Sequence, residues 1–203
     1  LAAEELPGVR VINLLDDSLL QDVIAAGEVT PAVTSRILAY VDQMATAGAD
    51  AVLCCCSSVG EVAELARRRS PIPVLRIDEP MAAQAVEMGE RIGVIATVAT
   101  TMAPTVRLIE RKAAEQGRSA AVEPLVVEGA YEALLSGDGP SHDRLVREAL
   151  SGLLSRSDVV VLAQASIARV LAALPTPPPV PVLSSPRSGL TAAADVFRAQ
   201  EDA

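Results

Sequence analysis

Short runs of Val, Ile and Leu alternate along the chain with longer stretches in which apolar residues recur at helical spacing. The runs predict strands over residues 9–14, 51–55, 74–77, 92–96, 121–127, 159–163 and 180–183. Each run is nearly continuous in apolar residues, the pattern of strands covered on both faces. The helical spacing predicts helices over residues 31–47, 58–69, 79–89, 102–116, 131–135, 141–155, 167–173 and 189–199. Strands alternating with helices predict parallel βαβ units, in which ligands bind beyond the carboxyl ends of the strands.

The pattern also repeats. Shifted by 108 positions, DAVLCCCSSVGEV (50–62) falls on DVVVLAQASIARV (158–170), and PIPVL (71–75) falls on PVPVL (179–183). Two matches at one offset predict two related halves. Each holds a strand, a tight turn into a helix, and a second strand introduced by Pro-x-Pro. The expected fold is α/β: two pseudo-symmetric Rossmann-like halves, each a short parallel sheet flanked by helices, with the site in the cleft between them. The first half is expected over 1–90 and the second over 91–186, with a C-terminal helix over 187–203 packing back on the first. Within the repeat, Cys56 falls on Gln164.

Composition narrows the partners. The chain has 203 residues, half of them apolar, enough for one sizeable core or two small ones. Twenty-six acidic against seventeen basic residues give a net charge of −9. That balance argues against nucleic acid and anionic membranes, which need basic patches. Two Tyr, one Phe and no Trp exclude aromatic stacking platforms for single strands. Arg67–Arg69 reads as charge complementing a helix C-terminus. No apolar run reaches the roughly 18–20 residues of a membrane span.

The chemistry concentrates at 54–58. Three adjacent cysteines, the only ones in the chain, form neither a disulfide framework nor a zinc site, so a reducing, cytoplasmic setting and no metal are expected. Cys54 and Cys55 read as small buried hydrophobes within a strand. Cys56 stands where strand gives way to helix, a position that favours a thiolate. Ser57 and Ser58 can offer hydroxyl and backbone donors to a carboxylate, while Ser58 and Glu61 also have capping-box spacing. Asp16 and Asp17 follow a strand and read equally as turn residues or as groups that reach the site. The single histidine, His142, lies in a loop entering a helix, with Ser141 as its expected N-cap.

These motifs resemble the aspartate/glutamate racemase superfamily, which includes hydantoin racemases, maleate isomerases and arylmalonate decarboxylases. Cys56-Ser57-Ser58 matches a strand ending in Cys-Asn-Thr or Cys-Ser-Ser. Gly93-Val94-Ile95-Ala96-Thr97, followed by Thr100 and Thr101, matches a Gly-Val-x-Ala-Thr element. Leu15-Asp16-Asp17-Ser18-Leu19-Leu20 is similar to an Asp-Glu-Ser-Leu element. Where the family has Leu-Gly-Cys-Thr, this chain has Leu162-Ala163-Gln164-Ala165.

The resemblance implies a cofactor-independent isomerase, of the racemase kind, that moves a proton at the carbon beside the carboxylate of a small carboxylic or amino acid. It implies a homodimer or higher homo-oligomer and a first strand before residue 1. Cys56 is the implied thiol acid/base, and Gln164 replaces the second cysteine. Ser57, Ser58, Thr97, Thr100, Thr101, Ala165, Ser166, Asp17 and Ser18 are the implied substrate contacts. A carboxamide does not titrate, which leaves three readings. One is a one-thiol enzyme, such as a decarboxylase or lyase. Another has a second proton carrier, such as Asp16 or Asp17. The third is a non-catalytic carboxylate binder.

Overall fold

A computed structural model describes residues 1–174 and 176–201 of the chain. The last two residues of the expected C-terminal helix lie outside that range. The described residues form an α/β fold of short parallel sheets flanked by helices, in two compact units, Leu1–Glu79 with Pro186–Ala203, and Pro80–Ser185. No described helix is long and apolar enough to cross a membrane.

The first unit contains α1 (Ala2–Glu5), α2 (Ser18–Ala26), α3 (Pro31–Thr46), β1 (Val52–Cys54), α4 (Gly60–Arg67), β2 (Val74–Arg76) and α10 (Ser185–Glu201). β1 and β2 pair in parallel, with Val52 opposite Val74 and Cys54 opposite Arg76. α3 starts where the sequence directs it. The Thr30 side chain accepts from the Val33 N–H at 3.2 Å, and Pro31 takes the first helical position, where its missing N–H costs nothing. Val41, Val52, Ala63, Ala66 and Val74 form one core cluster, and Val23, Val33, Ile37, Val59 and Val62 a second. α10 packs Ala193 and Ala194 against Leu6.

Residues 9–14, expected as a strand, do not form one. Among the described residues no strand pairs with them, and the sheet of this unit holds only β1 and β2. An apolar run without a ladder partner cannot satisfy its backbone as a strand, and here Ile12 and Leu15 stand 66% and 90% exposed. The sequence reading also passed over α2. Its signals were Leu19, Leu20, Val23 and Ile24 at helical spacing, closed by Gly27 in the left-handed region at φ 73°.

The second unit holds a four-stranded parallel sheet in the order β4-β3-β5-β6, formed by β3 (Arg91–Ala96), β4 (Ala121–Val126), β5 (Val159–Leu162) and β6 (Val182–Ser184). α5 (Glu79–Met88), α6 (Ala99–Glu115), α7 (Ala130–Leu135), α8 (Gly139–Leu154) and α9 (Ala168–Ala172) connect the strands. β3 and β5 are central, and β5 is buried along its whole length. β4 lies at the edge, where Pro124 and Glu123 are tolerated. α5 belongs to this unit because Met81, Ala82, Ala85 and Val86 are buried with Ile92, Val94, Val159 and Val161. The chain therefore divides at Glu79/Pro80, within the first turn of this helix. α8 begins before Ser141. Its N-cap is Asp138, whose carboxylate accepts from the Ser141 N–H at 3.0 Å.

A buried charge network braces the first unit. The Arg76 guanidinium donates twice to Asp78 at 2.9 Å and also to Glu64 on α4. The Arg76 and Asp78 side chains are 1% and 2% exposed. Gly60, the first residue of α4, lies directly on the guanidinium, and a Cβ there would run into it. Arg76→Ala leaves Asp78 buried without its cation and is expected to cost about 3–5 kcal/mol. Gly60→Ala, which forces this held side chain to move, is expected to cost about 1–3 kcal/mol. Urea denaturation of the two variants measures both.

Candidate active site

The two turns matched by the sequence repeat are built alike, each within its own unit. After β1, Cys56 is extended at φ −119°, ψ 111°, a 3-10 turn spans Ser57–Val59, and α4 follows. After β5, Gln164 is extended at φ −139°, ψ 137°, a 3-10 turn spans Ala165–Ile167, and α9 follows. The closing hydrogen bonds correspond as well. Val59 N–H donates to the Cys56 carbonyl at 3.3 Å, and Ile167 N–H to the Gln164 carbonyl at 3.2 Å.

The three adjacent thiols occupy three environments. Cys54 ends β1 and packs on both clusters of its unit. Burial pushes its thiol up to about 12. Its Sγ contacts the Cys56 carbonyl at 3.7 Å, the range of a weak S–H donor. Cys55 was expected inside the strand as buried filler. Instead β1 stops at Cys54 and Cys55 is exposed. Partial desolvation still raises its thiol. Cys56 lies at the head of the turn, partly buried against the cluster of Val23, Val33 and Ile37. Among the described residues its Sγ has no hydrogen-bond partner.

The hydroxyls beside the turns divide in the same way. Ser57 is partly exposed and Ser58 is 2% exposed. A 3-10 turn precedes α4, so the residue at its N-cap position is Val59. In the second unit Thr97 and Thr101 are buried and Thr100 is half-buried. Ala165 is exposed and Ser166 half-buried.

Thr97 and Gln164 are joined directly. The Gln164 side-chain oxygen accepts from Thr97 N–H at 2.5 Å, Thr97 Oγ1 at 3.1 Å and Val98 N–H at 3.3 Å.

The Asp16 region is a closed cluster. Its carboxylate accepts from Ser18 N–H at 3.1 Å, Ser18 Oγ at 2.6 Å, Tyr40 OH at 2.6 Å and the Arg36 guanidinium. Ser18, Tyr40 and Arg36 hold the Asp16 carboxyl well below the usual carboxylate range. A carboxyl held ionised in this way is a poor proton donor. Asp17 is exposed at the head of α2. Sequence reasoning missed Arg36 and Tyr40, although they stand four apart on α3 and so share a face.

His142 is fully buried, and its Nδ1 meets Asp143 at 2.7 Å. Arg169 also donates to Asp143, at 2.8 Å. Among the described residues no three His, Cys, Asp or Glu side chains gather as metal ligands would.

The comparisons with known proteins agree with this architecture. The Asp/Glu/hydantoin racemase family model matches residues 1–193, and the chain belongs to that family. A candidate Asp/Glu racemase of Yersinia pestis is similar, with a TM-score of 0.72, 18% identity, and coverage of 96% of this chain and 88% of that one. Glutamate racemase of Francisella tularensis, solved with D-glutamate, gives a TM-score of 0.61 at 13% identity over 95% and 69% of the two chains. Arylmalonate decarboxylase gives 0.50 at 18% identity over 81% and 75%. At these identities the likeness is one of fold. No curated protein sequence matches the chain.

The burial of Cys54 has a pH consequence. Its neutral thiol stabilises the fold below the ordinary thiol value near 9, and that contribution is lost as the pH rises toward about 12. The urea midpoint is expected to fall between pH 9 and 11, and to fall less in Cys54→Val. In the folded protein at pH 8, iodoacetamide is expected to label Cys54 last, as peptide mass spectrometry of timed samples reads directly.

Proposed function

We propose that this chain is a cofactor-independent enzyme moving a proton at the carbon next to the carboxylate of a small carboxylic or amino acid. Cys56 is the acid/base, and Gln164 stands in place of a second thiol. The observation that carries the reading is the shared build of the two turns, with a thiol that has no hydrogen-bond partner among the described residues at the head of one and a carboxamide at the head of the other. Family membership supports it.

In the isomerase direction, the Cys56 thiolate removes the α-proton and becomes a thiol. The electron pair left on carbon delocalises into the carboxylate as an enediolate, which hydrogen-bond donors at the turn stabilise. Inversion needs a proton delivered from the opposite face. An amide has none to give, and Asp16 is held as a carboxylate. A proton carrier beyond these two groups therefore completes a racemase.

The similarity to arylmalonate decarboxylase favours a second reading. There the bond to a carboxylate breaks, CO₂ leaves, and its electron pair stays on carbon. One proton from the Cys56 thiol then quenches the enediolate, so a single thiol suffices.

Screening amino acids and substituted malonates in D₂O by proton NMR separates the two. Deuterium in both enantiomers marks racemisation. CO₂ release with deuterium in one enantiomer marks decarboxylation. Cys56→Ala is expected to lower turnover by about 10²–10⁴-fold, the range for losing a general acid/base, with an unchanged far-ultraviolet spectrum. Equal turnover in mutant and wild type would refute the thiol mechanism.

A further inference from the structure

Among the described residues, the Gln164 side chain is hydrogen-bonded through its oxygen alone. Two of the three groups that reach this oxygen are backbone amides, of Thr97 and Val98. A backbone N–H can only donate, so the atom it meets must be the carbonyl oxygen, and the orientation of the amide follows without ambiguity. The Thr97 hydroxyl supplies a third donor. An sp² oxygen has two lone pairs, so three donors leave it no capacity for a ligand.

The nitrogen is in the opposite situation. Among the described residues, Gln164 Nε2 has no hydrogen-bond partner, and the one buried side-chain polar atom without a partner is His142 Nε2. Among the described residues the Gln164 NH₂ is therefore unpaired and not fully buried, with two N–H donors on a half-buried side chain whose other end is pinned. The same three hydrogen bonds use up the Thr97 and Val98 amides, which would otherwise be free to receive an anion.

Resting on the reading above, which brings substrate to this turn, we propose that Gln164 is a fixed, donor-only recognition group for a substrate carboxylate. Thr97 is then a positioning residue that acts through Gln164 and does not touch the substrate. The oxygen is filled, so this position rejects an ammonium group, which can only donate. It selects a carboxylate, and it favours the developing enediolate still more, because charge builds on the oxygen the NH₂ would hold.

Malonate is a suitable probe, and the readout is the pair of side-chain NH₂ signals of ¹⁵N-labelled protein. The Gln164 pair is assigned by its disappearance in Gln164→Glu. Malonate is expected to shift that pair in a saturable titration. Gln164→Glu keeps an oxygen for the Thr97–Val98 amides but replaces the donors with charge. Its affinity for malonate is expected to fall at least about tenfold, as for losing a hydrogen bond to a charged group.

Thr97→Val is expected to broaden the Gln164 pair and weaken malonate binding, and Thr97→Ser to restore both. A Gln164 pair that stays in place throughout the titration overturns the proposal, as does equal malonate affinity in Gln164→Glu and wild type. The outcome is separable from the thiol mechanism. Full turnover in Cys56→Ala would end that mechanism and leave a malonate-dependent shift at Gln164 intact, whereas a silent Gln164 would leave a Cys56-dependent reaction intact.

Discussion

Parallel pairing constrains everything else in this chain. Strands that pair in parallel all point the same way, so each must be followed by a crossover that brings the chain back. The turns leaving the carboxyl ends of neighbouring strands then collect at one end of a sheet. In the second unit this places the turn after β3, with Thr97 and Val98, beside the turn after β5, with Gln164, because the two strands are paired from Ile92–Val159 through Ile95–Leu162. The hydrogen bonds between Thr97 and Gln164, 67 residues apart, follow from that register. In the first unit, the pairing of Cys54 with Arg76 places the buried Arg76 beside the turn that carries Cys56.

The two turns share a backbone path but are braced differently. In the first unit a guanidinium does the work. Arg76 reaches Asp78, two residues beyond the end of β2, and Glu64 on α4, and Gly60 leaves room for it at the helix start. In the second unit the brace is the head residue itself, with the Gln164 oxygen seated on the amides after β3. The difference matters for chemistry. Arg76 holds the first turn from beneath and leaves the Cys56 thiol uncommitted. Gln164 uses the oxygen of its own side chain as the brace, and its nitrogen has no hydrogen-bond partner among the described residues.

Most of the alternation was legible because buried parallel strands carry dense apolar runs and their helices carry a clear period. Six of the seven expected strands form, and each begins and ends within two residues of expectation. Residues 9–14 failed for a reason no local pattern contains. Strand formation depends on a partner, and the run is as apolar as its neighbours whether or not one is present. The repeat exposed the correspondence of Cys56 with Gln164, since equal turns keep equal spacing. It could not reveal the partners of those residues. Thr97 binding Gln164, and Arg36 with Tyr40 enclosing Asp16, depend on which strands and helices lie side by side. The Cys55 error had a similar origin, since composition does not show where the β1 ladder stops.

The cysteine triplet shows how one residue of chain length separates roles. Cys54, inside the ladder, loses its water to the core clusters, and desolvation favours the neutral thiol. Cys55 alternates to the open side, beyond the last paired residue. Cys56 comes one position later, where the backbone is still extended but the next three residues turn. Its carbonyl is used to close that turn, so the backbone is fixed while the thiol has no hydrogen-bond partner among the described residues. Gln164 has the same backbone role with the opposite side-chain state, pinned by its oxygen and unable to exchange a proton. A thiol can exchange a proton and a carboxamide can only donate or accept hydrogen bonds, so two turns of the same build carry head residues of different chemistry.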